Sequence, residues 1–297
     1  MYRNPYQNLG NGEWYKVNFH THAGTGAGTC GANPTDTVVD MYVRNSFDIL
    51  CISNHDLFSD TSAFTSDEIL MIPGVEYSQD EHMLTIGVRE SLHELPHQAV
   101  IDTVRGMGGF TILCHPNWIQ KEYWSWERMD SLDRFLGIEI INMLIYRLNG
   151  SGLATDAWDH LLTGGKQVYG FGNDDFHQLS DASRSYNYIF CENRNYDAMK
   201  TAVENGAFCA STGLKPEYLL LESGVIKVKA QFPTATYVDT FTYRFIGEGG
   251  TLLSTVTGSD AQYTLNGENY VRVEVSGENG SLLFFQPVYR PEAFSDR

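Results

Sequence analysis

Strand-like apolar runs in this chain repeatedly end in histidine or carboxylate, and that recurrence limits the fold more than any other feature. The runs at 16–20, 48–53, 69–77, 110–114 and 167–172 lead into His20-Thr21-His22, Asn54-His55-Asp56, Glu76, Cys114-His115-Pro116 and Asp174-Asp175-Phe176-His177. A further run at 82–88 opens on His82, so six of the nine histidines belong to these clusters. Core filling does not explain such regular placement. Groups this far apart in sequence act together only if the fold gathers successive strand ends on one face.

The intervening segments suit that requirement. Helical patterning at 35–47, 96–107, 154–162 and 196–205 alternates with strand-like runs, which include 137–142 and 188–191. Pro34 precedes the first helix, where a missing N–H costs little, and Gly108-Gly109 ends the second. Alternating β and α elements favour a parallel sheet or closed barrel, with sites on loops past the C-terminal strand ends. From about Lys215 the pattern becomes period-2: Ile226, Val228, Ala230 and Phe232 alternate with polar residues, as do Phe241, Tyr243 and Phe245, and Val271, Val273 and Val275. This predicts two regions, an α/β region over 1–213 and a small all-β region over 214–297.

His20 and His22 at i, i+2 on a strand project to the same side, so two imidazoles can share one ion; Asp175 and His177 have the same spacing. Asp174 then points elsewhere, into hydrogen bonding. Neutral imidazoles and carboxylates together suit Zn, Mn or Fe, and Glu76 is placed to bridge two ions. As isolated features, His20/His22 would be a polar pair at a strand end, Glu76 a solvated carboxylate and His82 a structural side chain. Their conjunction favours a metal centre. His93, His97 and His160 lack such partners and are assigned surface or capping roles, and Glu139 is assigned a structural one.

The net charge of −17 argues against extended nucleic-acid binding, which needs a basic surface, but not against local phosphate binding at bound cations. Residues 1–11 are polar, and no apolar run approaches the roughly 20 residues of a membrane helix. Five cysteines without paired spacing fit a reduced, cytoplasmic setting. Cys51, Cys114, Cys191 and Cys209 lie in apolar runs and are expected to be buried.

The ordered set His20-Thr21-His22, Ser53-Asn54-His55, Glu76 with His82, His115-Pro116 and Asp175-Phe176-His177 resembles the polymerase and histidinol phosphatase (PHP) superfamily across residues 17–213. The resemblance implies a distorted (β/α)7 barrel of the PHP type, followed here by a small C-terminal antiparallel β-sandwich-like domain. It implies two or three divalent metal ions. His20, His22, Glu76 and Asp175 would hold the first, Glu76, His82 and His115 the second, and His55 and His177 the third. The β-rich tail is similar to appendages on a bacterial branch that includes predicted phosphoesterases and carbamate-ester hydrolases.

Two departures stand out. Where the family has Asp before Gly after His-x-His, this chain has a longer glycine-rich loop ending in Cys30-Gly31. Either a Cys30 thiolate completes a site for a softer metal, or the third site is weak or empty. The loop lacks the Gly-Lys-Ser/Thr ending of a P-loop. Asn54 replaces the Asp of the family's Thr-Asp-His, which alters how His55 is oriented. The expected activity is hydrolysis of a small phosphomonoester or nucleotide-type substrate by a metal-bound water, with Arg147, Arg184 and Lys121 as candidate phosphate contacts. The alternatives are a carbamate or carboxylic ester hydrolase on the same site, or a non-catalytic metal-binding sensor.

Overall fold

The computed structural model describes residues 1–7, 9–30, 32–119, 123–234 and 240–294. Lys121 and Gly31 lie outside the described residues. The N-terminal region runs β1 (Glu13–Asn18), α1 (Thr35–Arg44), β2 (Ile49–Cys51), β3 (Leu70–Ile72), β4 (Gly74–Tyr77), β5 (Met83–Ile86), α2 (His97–Gly106), β6 (Phe110–Leu113), α3 (Trp126–Asp130), β7 (Gly137–Asn142), α4 (Thr155–Thr163), β8 (Tyr169–Asn173), β9 (Tyr186–Cys191), α5 (Tyr196–Glu204) and β10 (Phe208–Ser211). The fold is mixed α/β, with five α-helices among the described residues. α1 illustrates their logic: Asp36 and Arg44 complement the helix dipole at its two ends, while Val38, Val39 and Tyr42 are buried.

Two sheets form the N-terminal region. β4-β5-β6-β7-β8 is one; β10-β9-β1-β2-β3 belongs to the other. Pairing is parallel for β1/β2, β2/β3, β6/β7 and β7/β8, and antiparallel around β5 and β9. Isolated parallel bridges Thr21↔Phe176 and His55↔Glu76 stitch the sheets together, joining residues just past β1, β8 and β2 to one another and to β4. The run expected as one strand at 69–77 is two short strands, because Pro73 lacks the N–H needed to continue the ladder and the chain changes sheet there. α3 was not anticipated; Ser125 caps it by accepting from the Arg128 N–H.

The tail forms β11 (Lys215–Glu222), β12 (Val225–Gln231), β13 (Phe241–Gly247), β14 (Thr251–Gly258), β15 (Ala261–Thr264), β16 (Tyr270–Gly277), β17 (Leu282–Phe285) and β18 (Val288–Tyr289). Its alternating apolar side chains fill one core: Ile226, Val228 and Ala230 of the β11-β12-β15 sheet meet Tyr243, Phe245, Val273 and Val275. The tail is not strung on a linker. β17 pairs antiparallel with β10, so one sheet runs from β14 to β3. The Gln286 side-chain amide bonds both the N–H and C=O of Gly170 in β8. The buried Arg272 guanidinium grips Asp159 of α4 through two bonds of 2.7 and 2.6 Å. No described helix is long and apolar enough to cross a membrane.

Candidate metal centre

Strand alternation separates floor from site. Phe19, one residue before His20, packs edge-on against Phe110 and Phe171, and Phe171 lies tilted against Phe208. Above this apolar floor, His20, His22, Glu76, His115 and Asp175 are all at most 3% exposed. His55, His82 and His177 complete the ring at its partly exposed side. All eight come from loops or strand ends on the same face.

The geometry is tight. His20 Nε2 and His22 Nε2 each lie 3.2 Å from Glu76 Oε2 and 3.2 and 3.3 Å from Asp175 Oδ1. His55 Nδ1 is 2.8 Å from the same Glu76 oxygen. The other Glu76 oxygen, Oε1, faces His82 Nδ1 at 2.9 Å and His115 Nε2 at 3.5 Å. Glu76 therefore presents one oxygen to each half of the cage.

Five of these buried atoms have no hydrogen-bond partner: His20 Nε2, His22 Nε2, His55 Nδ1, Glu76 Oε2 and Asp175 Oδ1. Each such atom left unsatisfied costs about 1–3 kcal/mol. Ligands about 2.1 Å from an ion sit about 3.0–3.4 Å from one another in octahedral and tetrahedral shells, so these contacts have the spacing of a divalent coordination shell. The residues present therefore fit divalent ions.

The electrostatics point the same way. Burial opposes a proton on His20 and on His22, yet Asp175 and Glu76 beside them hold both imidazoles well above the usual histidine range. Burial disfavours charge on Glu76 and Asp175 too, and the surrounding imidazoles more than offset it, keeping both well below the usual carboxylate range. Without cations, protons on the rings balance the acids. His115 and Asp175 also occupy left-handed backbone, at φ 33° and 51°. Such conformations cost of order 1–3 kcal/mol and cluster at functional sites.

A ring of supporting groups fixes the side chains. Glu139, only 1% exposed, accepts from His20 Nδ1 at 2.8 Å, the His115 N–H at 2.8 Å, Asn142 Nδ2 at 2.8 Å and Asn173 Nδ2 at 2.9 Å. Its role is structural in the sense that it orients the site, which spacing on β7 alone did not reveal. Asp174 points away from the cage, accepting from Asn18, Tyr42 and the N–H groups of Ser183, Arg184 and Ser185. Asn54 bonds both the N–H and C=O of Ala23, at 3.0 and 2.8 Å. An Asp there has no donor for the carbonyl, so the amide suits this longer loop.

Arg147 makes a bidentate pair with buried Asp181 at 3.0 and 2.9 Å. Asp181 in turn accepts from the backbone N–H of His177 and Gln178, at 3.1 and 3.0 Å, so the pair clamps the loop at His177, while the Asp175 carboxylate is held separately by Asn142 Nδ2 at 3.1 Å. Arg184 is exposed at the far end of that loop. Cys30 Sγ lies 3.2 Å from His22 Nδ1. Burial raises the Cys30 thiol, but hydrogen bonds from His177, His22 and His55 overcome it and bring it down to about 4. The other four cysteines are buried; Cys114 reaches the cage beside His20, Glu76 and His115, which its apolar context had not signalled. His97 is buried rather than superficial, bonded to the Glu81 carbonyl and to Arg128, while His160 pairs with Asp130.

No protein-family model and no curated protein matches the chain. Among solved structures, the chain is similar to a crystal structure from Bacteroides vulgatus ATCC 8482, a two-domain protein containing a predicted PHP-like metal-dependent phosphoesterase. The TM-score is 0.56 at 16% identity, covering 96% of this chain and 98% of the other. At that identity the likeness concerns the fold over nearly the full length of both chains.

Proposed function

We propose that this chain is a metal-dependent phosphoesterase of the PHP type, acting on a small phosphomonoester or nucleotide-type substrate. The observation that carries the reading is the set of unpartnered buried ligand atoms converging on Glu76 Oε2 and Asp175 Oδ1. The two-domain neighbour described as a predicted metal-dependent phosphoesterase supports it. In this reading residues 1–213 form a distorted (β/α)7 barrel that carries the site, and 214–297 buttress it. The free cysteines are compatible with a reduced, cytoplasmic setting.

His20, His22, Glu76 and Asp175 would hold a first ion, and Glu76, His82 and His115 a second, with Glu76 common to both sets. His55 and His177 face a third position. Zn, Mn or Fe bound there would polarise phosphoryl oxygens and make water acidic enough to supply hydroxide near neutral pH. The protein's own groups do the positioning. Glu139 fixes His20 with its Nδ1 proton outward, so that Nε2 presents a lone pair to the centre. His177 is held likewise by its Nδ1 contact to the Asp175 carbonyl at 2.9 Å. Partly exposed His55, His82 and His177 mark the side on which substrate approaches. Exposed Arg184 is the remaining arginine candidate for a phosphate contact, whereas Arg147 acts through Asp181 on the loop.

The test is turnover by protein reconstituted with Mn, Zn or Fe, across phosphomonoesters, nucleotides and short oligonucleotides. Hydrolysis of a phosphomonoester that is lost in His20→Ala supports the reading. No turnover across the panel rejects it, and activity confined to carbamate or carboxylic esters replaces it with the other hydrolase.

A further inference from the structure

Cys30 is set into a second constellation on the outer side of the cage. Its Sγ lies 3.2 Å from His22 Nδ1 and 3.6 Å from His177 Nε2, and ligand atoms of His22, Cys30, His55 and His177 all fall within 4.8 Å of one another. The loop is built to place it there. Gly24 and Gly28 take left-handed backbone (φ 109° and 81°), the Gly24 N–H bonds the Asn33 carbonyl, and Thr29 bonds back to the Gly26 carbonyl through both its N–H and hydroxyl.

The ring nitrogens decide what Cys30 can do. His22 Nε2 already faces Glu76 and Asp175. A neutral imidazole that ligates through Nε2 carries its proton on Nδ1, so His22 donates Nδ1–H to the sulfur, as His20 donates to Glu139. His177 gives its Nδ1–H to the Asp175 carbonyl, leaving a bare Nε2 lone pair facing sulfur. An ion about 2.3 Å from sulfur and about 2.0–2.1 Å from nitrogen in a tetrahedral shell sets a sulfur–nitrogen edge of about 3.6 Å, matching that contact.

We propose that Cys30, as a thiolate, ligates a third divalent ion together with His55 and His177, while also accepting the Nδ1 proton of His22. The site has three protein ligands and an open fourth position, and its thiolate selects Zn, Co or Cd over Mn, unlike the oxygen- and nitrogen-lined sites beneath it. This inference rests on the cage binding divalent ions.

The experiment is to load the full chain with Co(II) or Zn(II) and record metal content with near-ultraviolet thiolate-to-cobalt absorption, for wild type, Cys30→Ala, Cys30→Ser and Cys114→Ala. Thermal melts of the metal-free proteins check that each is folded. Expected are three ions and a thiolate band in wild type, and loss of the band and one ion in Cys30→Ala. Cys114→Ala keeps the band, and Cys30→Ser loses it and shifts the preference at the third position from Zn toward Mn. A band surviving in Cys30→Ala, or two ions and no band in wild type, overturns the assignment while leaving the cage intact. A chain that binds no ions removes the premise of both this site and the phosphoesterase reading. No readout needs turnover, so failure to find a substrate leaves the result unchanged.

Discussion

Replacing Glu139 with Gln tests whether the cage depends on groups that never touch an ion. All four partners of this carboxylate are donors: His20 Nδ1 and Asn173 Nδ2 share Oε1, while the His115 N–H and Asn142 Nδ2 share Oε2. A glutamine amide has one oxygen and one NH2, so whichever way it turns, two donors face a donor. Each hydrogen bond to a charged group is worth about 1.5–3 kcal/mol, which sets a ceiling of about 3–6 kcal/mol before relaxation. His20 escapes most cheaply by moving its proton to Nε2 and losing its lone pair toward Glu76 and Asp175. The first ion should then bind about 10–100-fold more weakly, the range typical for losing an orienting partner of a metal-bound histidine. Titration calorimetry with Zn(II) or Mn(II), alongside thermal unfolding of the metal-free protein, reads both effects. Wild-type metal affinity with unaltered unfolding would refute the reasoning, because the donor mismatch has no other outlet in a side chain that is 1% exposed.

Three other outcomes follow from the same structure. Arg272→Ala leaves buried Asp159 without its cation, only the Tyr270 hydroxyl still donating to it, and also unpairs Glu274; it should lower unfolding stability by about 3–5 kcal/mol, measured by urea titration; a change under about 1 kcal/mol would mean the tail docks without this pair. Asp181→Asn keeps an acceptor for Arg147 but weakens the clamp on the N–H groups of His177 and Gln178, so third-ion binding should fall while first-ion binding holds, as metal counts would show; parallel loss at both sites contradicts the clamp. Because His20 and His22 are held above the usual histidine range by Asp175 and Glu76, metal loading at pH 7 must expel their protons; calorimetry in buffers of differing ionisation enthalpy should report proton release, and none would contradict the charge balance.

The parts of this site legible from sequence were those carried by local pattern. His-x-His, His-Pro and Asp-x-His announce themselves because their spacing and the preceding apolar run sit within a few residues, and the side chains they name do converge. Glu139 was harder: on a fully buried strand such as Gly137–Asn142, alternation does not distinguish a carboxylate facing the centre from one in any other polar niche. Arg147 reads as available in the sequence because Asp181, its partner, is 34 residues away, beyond α4 and β8. The break at Pro73 was visible in principle, since the missing N–H predicts it. The tail's alternation declared strands but not their neighbours. Pairing of β17 with β10 joins residues 283–285 to 209–211 and turns what reads as an appended region into a continuation of the main sheet.

The central question is whether these imidazoles and carboxylates enclose cations. Anomalous scattering from crystals grown with Zn(II) measures that directly. A peak is expected within about 2.0–2.2 Å of His20 Nε2, His22 Nε2 and Asp175 Oδ1, with a second across Glu76 near His82 and His115. Crystals that hold zinc at the surface but show no peak among these side chains would contradict it.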